Sequence, residues 1–296
     1  MTAAPDTSER HYGGHSLWEP LKRVMVRQPG LPGSETDWHD LAYFHAPDLD
    51  RSNAEHAAFV ELLVASGAEV VIAPPDEPGY LDAVFCYDPS LMTCAGAVLL
   101  RPGKPQRVDE VAFHARTYAD IGIPILASIE APGTVEGGDT LWIDDDTLAV
   151  GRGYRTNRAG IQQLHTILDP LGVHVLAYDL SHYHGPGECL HLMSFISPVD
   201  HKLAVVYLPL MPVQLVEDLQ ARGWRFIEVP DEEFESMACN VLAVGPSDVI
   251  AMDGNPITRQ RMEAAGCSVR VYPGQEISFN RAGGPTCLSR PLWRKA

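Results

Sequence analysis

The chain has 296 residues, of which 45% are hydrophobic, and it carries a formal charge of −17 at pH 7. A chain of this size and composition can bury a large core, whereas its acidity argues against the clustered Lys and Arg surface that nucleic acids require. No apolar run approaches the ~18 residues that a membrane-spanning helix needs, so no membrane partner is expected.

The N-terminal segment and the cysteines predict where the protein resides. Residues 1–14 are polar and lack the apolar run of a signal peptide, which predicts a flexible tail on a single domain that spans 1–296. The cysteines form no C-x-x-C pair, so neither a zinc ribbon nor a redox motif is indicated. Scattered cysteines without a signal peptide are typical of a reducing compartment, and we expect a cytoplasmic protein. The six cysteines are Cys86, Cys94, Cys189, Cys239, Cys267 and Cys287.

Five times along the chain, an amphipathic helical segment ends at a glycine and a short β-branched strand follows at once. Glycine tolerates the left-handed conformation that ends a helix, and Val and Ile suit a buried pleated surface. In the first repeat Ser52 and Glu55 have capping-box spacing, which predicts that the helix starts there. The helical segments are 52–67, 108–122, 156–172, 212–223 and 258–266, and each strand takes up the next six residues or so. We call the glycines that join them the junction glycines: Gly67, Gly122, Gly172, Gly223 and Gly266.

A hairpin-like stretch follows each of the first four strands, at 83–100, 140–150, 190–207 and 240–252. The fifth stretch, 284–293, has one strand only, and the N-terminal 21–29 could supply its partner and close a ring. Repeats of about 50 residues are typical of propellers and solenoids. We therefore predict an α/β fold, a five-bladed ββαβ propeller with pseudo-fivefold symmetry. The alternative is a doubly wound α/β sheet, which rarely inserts a hairpin after every strand.

If the five repeats are equivalent, residues at similar distances from the junction glycines should meet near the axis. A thiol needs a nearby imidazole or positive charge to become a nucleophilic thiolate. Paired carboxylates suit a cation with a planar fork of donors, such as a guanidinium. The combination predicts that the thiol attacks the carbon of a guanidinium. The residues that the repeats bring together are Asp82, Glu136, His191, Asn240 and Cys287.

Each of these residues also has a purely structural interpretation. Cys287 could be a small buried residue, His191 a hydrogen-bonded core histidine on an apolar strand, and Glu136 a turn residue. Asp82 and Asp88 could be caps or Asx-turn residues on the same logic. Only the coincidence of the set at one repeat position favours a site.

Two other functional classes stay open. His182 and His184 form an H-x-H pattern close to His191, with Glu188 between them, and such spacing occurs in zinc sites. The segment contains Gly and Pro, however, and is predicted to be a loop rather than a metal-binding element. The other class is a sensor or binding protein that kept the pocket and lost turnover.

Several motifs carry a resemblance to a known family. They are VEGGDTLW (135–142), GRGYRTN (151–157), CLHLMSF (189–195), NVLAVGP (240–246) and GGPTCLSRP (283–291). Through them the sequence resembles the guanidine-modifying superfamily of dimethylarginine dimethylaminohydrolases, arginine deiminases and glycine amidinotransferases, from Leu21 to Leu292. The resemblance implies the pentein fold, a small guanidino substrate, and neither a metal nor an organic cofactor. Because relatives are often dimers, a homodimer is possible.

The resemblance also implies roles for individual residues. Cys287 matches the nucleophile, His191 the general acid and base, and Glu136 the carboxylate that contacts the guanidinium and holds the histidine. The substrate-binding residues that it implies are Asp88 at the guanidinium, Asp82 near the substrate amino group, and Arg107 and Arg155 at the substrate carboxylate.

The reaction that these roles imply is hydrolysis to citrulline or a related ureido product, with release of ammonia or an alkylamine. An amidinotransferase, in which an amine replaces water, stays open as an alternative. Relatives usually carry F-V-E-D where this chain has Tyr87 before Asp88, which predicts one negative charge fewer near the guanidinium and brings dimethylarginine itself into question. Segment 39–50, with Tyr43 and Phe44, is expected to form a lid.

Overall fold

The computed structural model describes residues 11–30, 38–74, 80–187 and 190–294. Within these ranges the chain forms five three-stranded sheets and six α-helices, besides short 3₁₀ turns. The strands are β1 Leu21–Arg27, β2 Glu69–Ala73, β3 Ser90–Thr93, β4 Gly96–Leu99, β5 Ile125–Ser128, β6 Thr140–Asp144, β7 Thr147–Arg152, β8 His174–Asp179, β9 Ile196–Asp200, β10 Leu203–Val206, β11 Arg225–Glu228, β12 Leu242–Gly245, β13 Asp248–Met252, β14 Ser268–Tyr272 and β15 Ser289–Arg294. The helices are α1 Leu49–Ala65, α2 Glu110–Asp120, α3 Arg158–Leu168, α4 Val213–Ala221, α5 Asp231–Phe234 and α6 Pro256–Ala264.

All five sheets have the same internal order. A middle strand pairs antiparallel with its hairpin neighbour and parallel with the strand that follows its helix. The orders are β15-β1-β2, β3-β4-β5, β6-β7-β8, β9-β10-β11 and β12-β13-β14. The pairing of β1 with β15 confirms that the segment 21–29 supplies the missing partner. The α/β class and the five equivalent sheets agree with the prediction, whereas a propeller arrangement around one axis stays a prediction.

The junction glycines adopt the left-handed conformation that the repeat predicts, with φ between 74° and 98°. A Cβ atom built on any of the five would meet nothing within 4 Å. The backbone conformation, and not crowding, is therefore the reason for glycine at these positions.

The start of α1 differs from the prediction. Asp48 is the N-cap, and its side chain accepts a hydrogen bond of 3.1 Å from the backbone N–H three residues later. Ser52 and Glu55 lie inside the helix, so the predicted capping box is wrong. Glu55 instead accepts hydrogen bonds of 2.8 Å from the backbone N–H groups of Glu276 and Ile277. The Glu55 carboxylate, which the local spacing assigned to the helix cap, thus makes a tertiary contact instead.

Burial differs between the strands of one sheet. The antiparallel pairs, such as β3 with β4, are buried along their length, whereas the parallel outer strands such as β2 and β5 are partly exposed. Strands covered on both faces are expected to have continuous apolar sequences. β4 has one, whereas β3 has a buried Ser90 and a buried Thr93 at its ends. Among the described helices, none is both long enough and apolar enough to cross a membrane.

The described part of the predicted N-terminal tail is held by the last strand. Gly13 N donates to Leu292 O at 2.7 Å, and Arg294 N donates to Gly13 O at 2.9 Å. Residues 11–14 are therefore attached to the fold, while residues 1–10 lie outside the described ranges. That 1–296 forms a single domain stays a prediction.

Candidate active site

Five of the predicted site residues occupy equivalent places in the five sheets. Each stands a few residues before the strand that pairs antiparallel with a middle strand, so the sheet repeat carries them to the same end of their sheets. They are Asp88 before β3, Glu136 before β6, His191 before β9, Asn240 before β12 and Cys287 before β15. The repeat offset predicts Asp82 in this set, but Asp82 lies earlier, in the 3₁₀ turn Leu81–Val84, and Asp88 takes the equivalent place.

The thiol of Cys287 is half-buried, and Asn240 holds it. Asn240 Nδ2 donates to Cys287 Sγ at 3.1 Å, and Asn240 Oδ1 accepts from Thr286 N at 3.0 Å. Since only the amide oxygen can accept from a backbone N–H, this second bond fixes which end of the amide faces the sulfur. Gly284 allows the approach, because a Cβ there would lie 2.6 Å from Asn240 Cγ. A donor aimed at sulfur favours the thiolate.

His191 and Glu136 form a buried pair, with Nε2 and Oε2 2.6 Å apart. Glu136 Oε1 accepts from the backbone N–H groups of Gly103 and Lys104, at 2.9 and 3.2 Å. Burial opposes ionisation of Glu136, but the hydrogen bond and charge of His191, with the charge of Arg155, outweigh it and hold its pKa below the usual range. An ionised Glu136 makes His191 Nε2 a donor. The His191 side chain also accepts a hydrogen bond from the backbone N–H of Ser194.

The backbone around His191 differs from the prediction of an apolar strand. His191 is an extended residue before a 3₁₀ turn, Leu192–Ser194, and β9 begins only at Ile196. Its ring packs directly on Gly138, where a Cβ would lie 2.7 Å from the imidazole Cγ. The second glycine of the E-G-G-D motif is therefore needed to admit the ring.

Asp139, which sequence reasoning did not select, fastens the two turns together. Its Oδ1 accepts from Leu192 N at 2.9 Å, and the side chain is buried. Burial raises the pKa of Asp139 to about 6. The motif that carries Glu136 thus also holds the backbone of Leu192, the residue after His191. This contact fixes the backbone at His191 and so helps to orient the imidazole.

Asp88 is bound on both carboxylate oxygens. Arg107 Nη1 donates to Oδ2 at 2.5 Å, and Gly138 N donates to Oδ1 at 2.9 Å. The other donors of Arg107 contact Glu110 and two backbone carbonyls. Burial raises the pKa of Glu110 to about 7, against the opposing charge of Arg107. Because the donors of Arg107 are directed at protein acceptors, the arrangement favours a role in holding Asp88 over the predicted contact with a substrate carboxylate. Arg155 Nη1 lies 3.6 Å from Glu136 Oε1.

Asp82 has partners that sequence reasoning missed. Lys104 Nζ donates to Oδ2 at 2.7 Å, and the hydroxyl of Tyr43 donates to Oδ1 at 3.0 Å. No motif marks Lys104, which stands in the loop between β4 and α2. Tyr43 of the expected lid is buried, whereas Phe44 is 66% exposed. The last two residues of the expected lid, 49–50, belong to α1.

Tyr87 does not lie among these acids. Its ring is buried in the main hydrophobic cluster and lies under the guanidinium of Arg290, with 3.8 Å between the guanidinium carbon and the ring centroid. Arg290 also donates to the backbone carbonyl of Tyr87. Tyr87 N also donates to Cys287 O at 3.2 Å. The predicted effect of the missing acid on a guanidinium stays a prediction.

The remaining cysteines differ from Cys287. Cys86 and Cys239 are buried, and burial raises the pKa of the Cys86 thiol to about 12 and that of Cys239 well above its usual value. Cys94 is exposed, and Cys189 lies outside the described ranges.

Within the described ranges, one group of residues has metal-ligand spacing: Asp88, Glu136 and His191, whose ligand atoms lie within 4.8 Å of one another. Asp88 contacts Arg107, and Glu136 contacts His191. His182 and His184 are not in this group, and Glu188 lies outside the described ranges. The arrangement does not support the H-x-H interpretation.

Comparison with known proteins decides the family. A family model described as N,N dimethylarginine dimethylhydrolase, eukaryotic, matches residues 48–271, which is more than half of the chain. The chain belongs to this family. It is therefore a member of the pentein guanidine-modifying superfamily, as the sequence motifs predict.

Relatives span nearly the whole chain. A protein of Streptomyces coelicolor named N(G),N(G)-dimethylarginine dimethylaminohydrolase is 31% identical over 280 residues, which cover 91% of this chain and 96% of that protein. The structure of a cysteine-to-serine mutant of the Pseudomonas aeruginosa dimethylarginine dimethylaminohydrolase, complexed with citrulline, is 28% identical with a TM-score of 0.74 and covers 91% of this chain and 98% of its own. An amidinotransferase from Microseira wollei, 15% identical with a TM-score of 0.79, covers 96% of this chain and 98% of its own and shows the shared fold alone.

Proposed function

We propose that the chain is a cysteine-dependent hydrolase that cleaves a C–N bond in the guanidino group of arginine or a substituted arginine. The products would be citrulline or a related ureido compound and ammonia or an alkylamine. The observation that carries the proposal is the fixed donor from Asn240 to Cys287 Sγ, in a chain that also pairs His191 with an ionised Glu136. The names of the relatives, and the citrulline bound to one of them, support the same reaction class.

Binding would use the buried acids. A guanidinium stays protonated in water and presents its donors in one plane, so carboxylates on two sides can hold it. Asp88 and Glu136 are the acids proposed for this role, and each is worth roughly 1.5–3 kcal/mol as a charged hydrogen bond. Arg155, beside Glu136, is proposed to contact the substrate carboxylate.

The first half of the reaction forms a covalent intermediate. The Cys287 thiolate adds to the guanidinium carbon, and a tetrahedral adduct results. As the C–N bond breaks, His191 gives its proton to the departing nitrogen, which leaves as ammonia or an amine. An S-alkylthiouronium then links the substrate to Cys287, and His191 is neutral.

The second half releases the product. Neutral His191 takes a proton from water, and the hydroxide adds to the thiouronium carbon. The C–S bond breaks as the adduct collapses, so the sulfur departs as a thiolate and the ureido product forms after loss of a proton. One histidine thus serves first as acid and then as base.

The proposal includes the arrangement of the sheets. A five-bladed propeller with pseudo-fivefold symmetry would bring all the loops that precede β3, β6, β9, β12 and β15 to one central pocket. Two observations support this arrangement. The five sheets have the same internal order, and β1, the first strand, pairs with β15, the last strand, within one sheet.

Mass spectrometry of the intact protein tests the reaction. The protein is mixed with arginine and methylated arginines, quenched in acid and weighed, beside Cys287→Ala and the matched control Cys94→Ala, which alters an exposed cysteine. We expect an adduct equal to the substrate minus its leaving amine on wild type and the control only. Product formed only when an amine acceptor is added would replace the hydrolase with an amidinotransferase. Binding without adduct or product would replace it with a guanidine-binding protein.

A further inference from the structure

An ammonium group of the protein already forms an ion pair with Asp82. Lys104 Nζ lies 2.7 Å from Oδ2, and the hydroxyl of Tyr43 lies 3.0 Å from Oδ1, so both carboxylate oxygens have donors. Asp82 is only 6% exposed, which strengthens the attraction within the pair. The buried carboxylate that the sequence assigns to the amino group of a substrate is thus neutralised from within the chain.

The loop that carries Lys104 is fixed beside the candidate catalytic pair. The backbone N–H groups of Gly103 and Lys104 donate to Glu136 Oε1, whose other oxygen contacts His191. Gly103 also lies against the backbone of Arg155, where a Cβ would be 2.8 Å from the Cα atom. Lys104 therefore contacts Glu136 through its backbone N–H and Asp82 through its ammonium. Its backbone is held in place, so the position of the ammonium does not depend on the side chain alone.

The Lys104 ammonium discriminates between substrate tails, because Asp82 is already paired with it. An amino acid such as arginine would bring a second ammonium next to Lys104, and like charges in a partly desolvated site repel strongly. A carboxylate would be attracted instead. An ammonium has three donors, and Lys104 Nζ uses two of them, on Asp82 and on the carbonyl of Leu41 at 3.3 Å. Among the described residues no acceptor faces the third donor.

We propose that Lys104 determines specificity and that the site takes ω-guanidino acids that lack an α-ammonium group. This inference rests on the proposed function for its chemistry, because the guanidino end would still be held by Asp88 and Glu136, and it replaces the amino-acid substrate of that proposal with its analogue that lacks the α-ammonium group. The tail carboxylate would be bound by the third donor of Lys104, and Arg155 stands near the same end of Glu136. The product would be the corresponding ureido acid, released together with ammonia.

Three ligands isolate the effect of the tail. Arginine carries both an ammonium and a carboxylate, δ-guanidinovaleric acid is arginine without the ammonium, and agmatine is arginine without the carboxylate. Calorimetry on the Cys287→Ala protein gives their affinities without turnover. We expect δ-guanidinovaleric acid to bind at least about tenfold more tightly than arginine, and agmatine to bind most weakly. Arginine binding as tightly as δ-guanidinovaleric acid, or no binding by any of the three, would overturn the inference.

Variants of Lys104 show whether it is responsible. In Lys104→Met the preference for δ-guanidinovaleric acid should fall about tenfold or reverse, because Asp82 can then take the substrate ammonium. Lys22→Met, which alters an exposed lysine of β1, should leave the preference unchanged. Unpaired Asp82 could destabilise the fold, so Lys104→Met is also combined with Asp82→Asn, which removes both charges of this pair. The double variant should bind arginine and δ-guanidinovaleric acid within a few-fold of each other. An unchanged preference in either variant contradicts the role of Lys104.

Turnover separates this inference from the proposed function. If wild type binds δ-guanidinovaleric acid preferentially but forms no adduct and no product, the proposed hydrolysis fails and the specificity stands. If arginine is turned over with the higher kcat/KM, the hydrolase stands and the specificity fails.

Discussion

Asn240 ties the sulfur of Cys287 to the backbone of the turn that carries it, because the same amide donates to Sγ and accepts from the N–H group of Thr286. The amide cannot rotate without losing one of these bonds. It is therefore a donor held in place before any charge develops on the sulfur, and such preorganised donors stabilise anions effectively in sites that exclude water.

Replacing Asn240 with aspartate should raise the pH at which Cys287 reacts. Asn240→Asp retains an acceptor for Thr286 N but puts a negative charge beside the sulfur, which opposes the thiolate. We expect the pH profile of alkylation by iodoacetamide to move upward by about one unit or more, and kcat/KM to fall by at least about tenfold. A profile that superimposes on that of wild type would show that the amide does not stabilise the thiolate.

For turnover, the negative charge of Glu136 should be more important than the hydrogen bonds that its side chain accepts. Glu136→Gln can still accept from the N–H groups of Gly103 and Lys104, but it cannot balance a protonated His191. We expect kcat to fall roughly 100-fold with a folded protein, a loss within the range of general acid–base catalysis. Steady-state kinetics with circular dichroism as a folding check measures this. Glu130→Gln, at an exposed position, is the matched control, and equal losses in the two variants would refute the role of Glu136.

Asp139 should make folding stability depend on pH. Burial raises its pKa from the ordinary 3.8 to about 6, so the folded chain retains this proton to higher pH than the unfolded chain does. The stability that the proton contributes is present below pH 3.8 and is lost as the pH rises through about 6. Asp139→Asn lacks this dependence.

Urea unfolding at pH 4 and pH 8 tests the effect of Asp139. Relative to wild type, Asp139→Asn should be more stable at pH 8 than at pH 4, by on the order of 2–3 kcal/mol. Asp253→Asn, at an exposed position, should show no such difference. A pH-independent effect of Asp139→Asn would mean that Asp139 is ionised throughout this range.

A methyl group at Gly138 should displace the His191 ring. Gly138→Ala places a Cβ atom 2.7 Å from the imidazole Cγ, within a rigid turn, so either the ring or the backbone must move. We expect roughly 1–3 kcal/mol of lost stability from overpacking and a loss of activity of about 100-fold, since small misplacements of catalytic groups are costly. Thermal unfolding and kcat measure the two effects. The matched control is Gly245→Ala, whose added Cβ atom would lie 4.0 Å from its nearest neighbour. This variant should change neither the stability nor kcat appreciably.

The sequence repeat predicted most of the fold, because each repeat unit is identified by local sequence features and these features recur five times. A glycine with positive φ and a β-branched strand identify each unit without knowledge of its neighbours, and an offset within the unit locates Glu136, His191 and Cys287 before their strands. The same offset marks Asn240, although nothing in the sequence shows that its amide contacts a sulfur.

What the sequence could not predict are contacts between residues that no motif connects. Ser52 and Glu55 have the spacing of a capping box, but Glu55 binds a backbone segment more than 200 positions away. Arg107 matches a substrate-binding arginine by motif, yet Asp88 and Glu110 are within its reach. Lys104 has no motif at all, and only the folded chain brings its ammonium to Asp82. In each case a tertiary partner competes with the role that local sequence suggests.

The pairing of β1 with β15 has a consequence for synthesis on the ribosome. The middle strand of the first sheet leaves the ribosome early, and its antiparallel partner follows only after some 260 further residues. At about 5–20 residues per second, β1 waits more than ten seconds with one edge uncovered. The proposed nucleophile is made in the same late interval, because Cys287 directly precedes β15. During translation, therefore, the nascent protein can assemble four of its sheets before the thiol proposed to react has been added to the chain.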